Sequence, residues 1–293
     1  MPDLPNILFI TADQWRGDCL SALAHPCVRT PHLDALAESG VLFSRHYCQA
    51  VPCGPSRASL HTGLYMMNHR SVTNGTPLDR RHINWAQRLR EVGYEPVLFG
   101  YTDTSADPRD YPADAPELRT YEGVLPGLHP QLLLNESDVS AWADWLRGEG
   151  VTVPERGYDL YLTKADQPEW EQGGPSAAPL ALDAEHHDTR FLTDHAIEYI
   201  QGADKPWCVH LSLLRPHPPW IAPSPYNEMY PPDDLPGFRR AASAELEGQQ
   251  HPWLAFQLQQ RYARAPEQEA RLRRLKSSYF GFCLLYTSDA ADD

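Results

Sequence analysis

The run Asn6-Ile-Leu-Phe-Ile-Thr11 constrains this chain more than any other feature. It is apolar almost without interruption and rich in β-formers. A strand with that pattern is expected to hide both faces, as strands of helix-covered parallel sheets do. It ends at Asp13, a carboxylate at the position where such sheets bind ligands.

The rest of the chain continues the alternation. Thr30-Pro31 predicts a helix start, with Thr as cap and Pro at the first helical position. Leu33, Leu36 and Ala37 give that helix an apolar face, and Gly40 ends it. Val41-Leu42-Phe43 reads as a short strand or extended segment. Pro55 to Thr62 predicts a second helix, closed by Gly63. Trp85, Leu89 and Val92 carry helical spacing up to Gly93. Pro96 to Phe99 predicts a strand that runs into Gly100-Tyr101-Thr102. A helix over Asp188 to Tyr199 precedes a strand over Trp207 to Leu213, and a last helix covers Glu267 to Tyr279. Strands alternating with helices give an α/β fold with a mostly parallel central sheet flanked by helices. The residues just beyond the strands are the places to look for chemistry: Asp13, Tyr101-Thr102 and Arg215-Pro216-His217.

Composition narrows the function classes. At 293 residues and 42% hydrophobic content, the chain can build one large domain. A net charge of −14 without a basic run argues against nucleic-acid binding. No apolar run is long enough to span a membrane, and no basic stretch followed by an apolar one opens the chain. The expected compartment is the cytoplasm, with reduced thiols. Six cysteines, Cys19, Cys27, Cys48, Cys53, Cys208 and Cys283, form no metal or disulfide spacing. Cys19, Cys27, Cys48 and Cys208 are expected to pack in the core. His186 and His187 read as a surface pair before a helix, without a role.

Cys53 differs because of its surroundings, Cys53-Gly-Pro-Ser-Arg-Ala-Ser-Leu-His-Thr-Gly63. It precedes Pro55 and so sits at a predicted helix N-terminus, where free N–H groups and positive potential favour an oxyanion. Arg57, one turn on, is placed to steady residue 53. The alternatives for Cys53 are a packed thiol or a redox thiol.

The pattern C-x-P-S-R followed by T-G resembles the signature of the sulfatase superfamily, whose fold is that of alkaline phosphatase. In that superfamily it directs oxidation of the cysteine to formylglycine. The resemblance implies an aldehyde hydrate at position 53: one hydroxyl attacks sulfur or phosphorus, and the second expels the product. It also implies one divalent metal ion (Mn, Zn or Ca), with Asp13 and residue 53 among its ligands. A formylglycine-generating enzyme is the implied partner, and a homo-oligomer the implied assembly. Five segments make the chain more similar to phosphonate monoester hydrolases than to arylsulfatases: Ala12 to Arg16, Pro52 to Arg57, Tyr65 to Asp79, Gly100 to Thr102, and Leu214 to Pro219. Asp13-Gln14 replaces the Asp-Asp of typical sulfatases. The substrate implied is a small anionic ester, with Gln14, Asn74, Tyr101 and Thr102 binding it. His217 steadies the oxyanion or protonates the leaving group. Asp103 departs from a hydroxyl residue in these relatives, so Thr102 or Thr104 is the substitute. A sulfatase acting on an aryl, choline or sugar sulfate is the alternative, and a non-catalytic homologue or inactive fragment the alternative of another class.

The superfamily completes its metal site with an Asp-His-Gly segment and a Lys further downstream, which this sequence lacks. The expectation is an incomplete, C-terminally truncated domain over 1–282. Residues 283–293 resemble a translated sequencing adapter.

Overall fold

The computed structural model describes residues 4–163, 176, 178–260 and 265–286. The elements used below are β1 (Ile7–Ala12), α1 (Pro31–Ser39), α2 (Cys53–Thr62), α3 (Trp85–Glu91), β2 (Val97–Gly100), β3 (His129–Leu133), α4 (Ser140–Gly148), α5 (Asp188–Gly202), β4 (Cys208–Leu213) and α6 (Glu269–Leu285). Packing divides the chain into two units. One holds Met1–Trp15, Val41–Leu160 and Ala184–His217; the other holds Arg16–Gly40, Tyr161–Asp183 and Pro218–Asp293.

The first unit contains the sheet, in the order β1-β4-β2-β3 with all pairings parallel. Strand β4 has a neighbour on each edge and is buried throughout. The predicted parallel α/β architecture is therefore present. Strand β1 departs from expectation. Its face carrying Leu8 (47% exposed) and Ile10 (52%) is open. Among the described residues β1 stands at the sheet edge, and the helix α5 packs on β4 and β2 rather than on β1. An apolar run states that a strand is apolar, not how many neighbours cover it.

Gly100 explains how β2 and β4 close. Its φ is +105°, and a Cβ there would lie 2.0 Å from the Ser212 carbonyl oxygen. Only glycine permits that approach. Ala58, Ala86, Leu98 and Leu125 belong to one buried cluster. Fully burying a leucine such as Leu98 contributes about 1.5–3 kcal/mol over leaving it exposed. His61 is locked into the same layer by the Trp85 Nε1–H at 3.1 Å, and burial with Arg57 nearby pulls its pKa down to about 3. It is a neutral core residue.

Helix ends follow local chemistry. Gly63, with φ +71°, closes α2 by donating its N–H to the Ser59 carbonyl at 2.8 Å. Asn84 and Gln87 form a reciprocal capping box at the start of α3. In the second unit, α1 begins at Pro31 and ends at Gly40 as predicted, yet Thr30 does not cap it. Its hydroxyl bonds Ser21 and Asp34 instead. None of α1's residues is buried. Val41-Leu42-Phe43 is an exposed segment outside any strand. Helix α6 runs to Leu285, six residues beyond the predicted end, with Cys283 buried inside it. Residues 287–293 of the predicted tail lie outside the described residues. Of the elements labelled above, β3 and α4 have no counterpart in the sequence reading. Among the described residues, no helix is long and apolar enough to cross a membrane.

Three readings of side chains need correction. Cys48 is exposed and Cys27 half-buried, so only Cys19 and Cys208 of the four are core residues. His187 is buried, not on the surface; its Nδ1 caps α5 by accepting the Thr189 N–H at 3.2 Å.

Candidate active site

All four strands of the first unit deliver side chains to one pocket at their carboxyl ends. Asp13 follows β1, Tyr101 and Asp103 follow β2, Glu136 follows β3, and Leu214 and His217 follow β4. Cys53, Asn74, Tyr121 and Glu122 complete its lining. Cys53 opens α2, and its Sγ lies 4.0 Å from Asp13 Oδ1. The sequence-predicted residues Asp13, Cys53, Asn74, Tyr101 and His217 thus meet in space.

Arg57 organises the floor. It is buried, and its guanidinium donates to Asp13 Oδ2 at 3.2 Å, to Ser212 Oγ at 3.1 Å and to the Tyr101 carbonyl at 3.4 Å. Its Nε lies 3.6 Å from Asp103 Oδ2, and the group sits 4.5 Å over the Tyr101 ring. Burial works against this charge; Tyr101, Asp13 and Asp103 outweigh it and raise the pKa. Tyr101 donates its hydroxyl to Asp13 Oδ2 at 2.5 Å. Burial holds that hydroxyl well above its ordinary pKa, so it remains a donor. Asp13 is thus gripped by two donors before any ligand arrives.

The helix N-terminus behaves differently from expectation. The Gly54 N–H donates to Asn74 Oδ1 at 2.9 Å, Pro55 has no N–H, and the Ser56 N–H donates to the Pro52 carbonyl at 3.0 Å. The N–H groups of Gly54 and Ser56 are thus engaged, and they add less to the potential at residue 53 than a free helix N-terminus would, beside the helix dipole. Because Asn74 commits its oxygen, its amide nitrogen is the group left for an anion.

Thr102 is a correction. It is fully buried, donates to the Gly123 carbonyl at 2.8 Å and accepts the Leu125 N–H at 2.8 Å. Its hydroxyl braces the neighbouring loop and does not reach the pocket. Thr104 is also buried, bonded to the Thr102 carbonyl at 3.3 Å. Gln14 is exposed, in the left-handed region at φ +59°, and outside the pocket lining.

Asp103 occupies the pocket instead of a hydroxyl residue. It takes the left-handed conformation at φ +48° and is 7% exposed. Burial, countered by Arg57, pushes its pKa up to about 7. His217 moves the other way from most buried histidines. Burial opposes its charge, but hydrogen bonds to Cys53 and Glu136 outweigh it and raise the pKa to about 10. Its Nδ1 lies 3.2 Å from Glu136 Oε1. Sequence reasoning missed Glu136, Glu122 and Tyr121. For Glu136 a signal existed: Leu132-Leu-Leu134 followed by Asn135-Glu136 repeats the pattern of a strand end with a polar residue beyond it.

Asp13, Asp103 and Cys53 each offer a ligand atom, all within 4.8 Å of one another. Two carboxylates suit a hard divalent cation. The charge balance of the pocket agrees: among the described residues its lining carries four carboxylates, Asp13, Asp103, Glu122 and Glu136, and the ion pairs with them come from Arg57 and His217. An anion entering that surplus of carboxylates needs further positive charge. The residues therefore fit a divalent metal.

With strand-end carboxylates beside a helix-opening cysteine in the C-x-P-S-R context, the class is that of sulfatase-type domains. A sequence model of the sulfatase family matches residues 5–265, and the chain belongs to that family. It is 40% identical over 255 residues to the multifunctional alkaline phosphatase superfamily protein PehA of Trinickia caryophylli, covering 84% of this chain and 48% of that protein. The phosphonate monoester hydrolase of Agrobacterium radiobacter superposes with a TM-score of 0.88 at 42% identity, covering 97% of this chain and 57% of that one. The phosphonate monoester hydrolase of Silicibacter pomeroyi gives 0.87 at 39%, with the same coverage. The chain thus spans about half the length of the relatives it matches.

Proposed function

We propose that this chain forms the nucleophile-bearing part of a metal-dependent hydrolase of phosphonate monoesters and phosphodiesters, with Cys53 oxidised to formylglycine. The observation that carries the reading is the meeting of Cys53, Asp13, Asn74, Tyr101 and His217 in one pocket at the strand ends. The phosphonate branch is favoured by the two phosphonate monoester hydrolases, which resemble this chain along 97% of its length.

The contacts support the following roles. Arg57 and Tyr101 hold Asp13 in place as a metal ligand. The Asn74 amide nitrogen binds a nonbridging oxygen of the ester. His217, kept protonated by its two partners, donates a proton to the departing oxygen. When bound, a divalent ion supplies positive charge beside residue 53 and the ester oxygens. The aldehyde form of residue 53 supplies a hydrate with one hydroxyl for attack and one for product release. A formylglycine-generating enzyme is the partner that installs it, and the complete protein is a homo-oligomer. The proposed compartment is the cytoplasm.

Mass analysis of the Cys53 peptide, from cells carrying a formylglycine-generating enzyme, tests the first half. An aldehyde supports the reading, and an unmodified thiol sinks it. For the second half, the chain extended to the length of its relatives is assayed on a p-nitrophenyl phosphonate monoester and the matching sulfate. Faster turnover of the sulfate would select a sulfatase.

A further inference from the structure

Glu136 and His217 come from strands that are not neighbours. In the sheet order β4-β2-β3, Glu136 follows β3 and His217 follows β4, so their contact bridges the end of β2. Each is held by separate means. The Glu136 N–H donates to Glu122 Oε1 at 3.2 Å, and the Ser137 hydroxyl donates to the other oxygen of Glu122. Asn135 Oδ1 accepts the N–H groups of Ser137 (2.9 Å) and Asp138 (2.7 Å), which sets the turn. Glu122, which anchors this turn, is itself buried. On the other side, the His217 N–H donates to the Leu214 carbonyl at 3.1 Å, and the Arg215 guanidinium donates to the His217 carbonyl. Arg215 is buried, with its Nε 3.9 Å from Asp188 Oδ2.

We propose that Glu136 is the positioning residue of His217: its carboxylate accepts the Nδ1–H and so aims the ring's other nitrogen at residue 53. A carboxylate bound at one ring nitrogen fixes the orientation of the imidazole and, once the ring has given up its proton, its tautomer. His217 and Cys53 line the same pocket, so the nitrogen that Glu136 leaves open belongs to the same site as residue 53. Glu122, through the 135–138 turn, fixes where that carboxylate stands. A part-exposed Glu–His pair contributes little to stability, about 0–1 kcal/mol. The value of the contact is therefore geometric. This inference rests on the reading of His217 as the leaving-group acid, and two measurements separate them.

The first uses the 293-residue chain with 15N-labelled histidine. A slowly exchanging Nδ1–H resonance that vanishes in His217→Asn identifies the group. It is expected to vanish in Glu136→Leu and to survive in Glu136→Gln, whose amide oxygen still accepts. Survival in Glu136→Leu overturns the positioning role. The second is kinetic, on the chain extended to the length of its relatives. Glu136→Leu is expected to lower kcat about 10–100-fold with KM little changed. Glu136→Gln recovers most of that loss, and the deficit is larger for an alkyl than for a p-nitrophenyl leaving group. A deficit equal for both leaving groups, with the Nδ1–H signature behaving as expected, removes the acid role of His217 and leaves the positioning intact. No kcat loss in Glu136→Leu overturns the proposal.

Discussion

Arg57→Met gives the sharpest test of how the pocket is held. The guanidinium is the shared partner of two carboxylates, Asp13 at 3.2 Å and Asp103 at 3.6 Å. All three side chains are below 10% exposed, at 8%, 9% and 5% for Arg57, Asp13 and Asp103. Methionine fills most of the volume but leaves both carboxylates without their cation. Breaking a buried ion pair from one side costs about 3–5 kcal/mol, because the remaining charge is stranded. The Ser212 hydroxyl and Tyr101 carbonyl also lose a donor, which pushes the cost toward the upper end. Asp103→Asn removes one of the stranded charges, so the double variant should recover part of the loss, with a coupling of about 1–3 kcal/mol. Urea denaturation of the four proteins at pH 8, followed by tryptophan fluorescence, measures both quantities. A cost below about 1 kcal/mol for Arg57→Met, with Asp103→Asn strictly additive, would show that these contacts do not organise the site.

Further outcomes follow from the same geometry. Asp103 has its pKa raised from 3.8 to about 7 in the fold. Its protonated form therefore favours folding below pH 4, and that contribution is lost as the pH rises through 7. The gap in unfolding free energy between the parent and Asp103→Asn should shift against the parent by about 4 kcal/mol from pH 4 to pH 8. Parallel pH profiles would refute it. Gly100→Ala places a Cβ 2.0 Å from the Ser212 carbonyl oxygen at a φ of +105°. It should cost more than about 3 kcal/mol, read as a large drop in melting temperature or as insoluble protein. Thr102→Val keeps the shape but strands the Gly123 carbonyl and the Leu125 N–H. It should cost about 1–3 kcal/mol for each stranded group, measured by denaturation; in the length-completed enzyme KM should stay near the parent value, and a raised KM at unchanged stability would restore Thr102 as a substrate ligand.

What the sequence carried depended on whether the signal was local. The C-x-P-S-R segment is contiguous, so Cys53 and Arg57 were visible without knowing the fold. Asp13, Tyr101 and His217 were visible because each follows a recognisable apolar run. Glu136 obeys the same rule, but β3 reads His129-Pro-Gln-Leu-Leu133, and a proline in a mostly exposed strand hides the pattern. Asp103 was visible only as a departure. Its ion pair with Arg57 depends on the left-handed turn that follows Gly100, which the sequence does not announce. The open face of β1 was out of reach for a related reason: strand order is a property of the whole sheet, and the Leu8 and Ile10 side chains look the same in a central strand and an edge strand.

The helix N-terminus shows why local pattern and site chemistry separate. A cysteine opening a helix suggests that backbone N–H groups stabilise an anion there. In this fold Asn74 takes the Gly54 N–H, and Pro55 has none to give. The dipole at this helix end is worth about 0.3–1 kcal/mol. A charge-assisted hydrogen bond contributes about 1.5–3 kcal/mol, so the positive side chains outweigh the backbone. Those side chains, Arg57 and His217, are each tied to carboxylates from other strands. The electrostatics at residue 53 are therefore set by the strand order that brings Asp13, Asp103, Glu136 and His217 together. The helix that carries residue 53 supplies its position and Arg57, while the sheet supplies the rest of the charge.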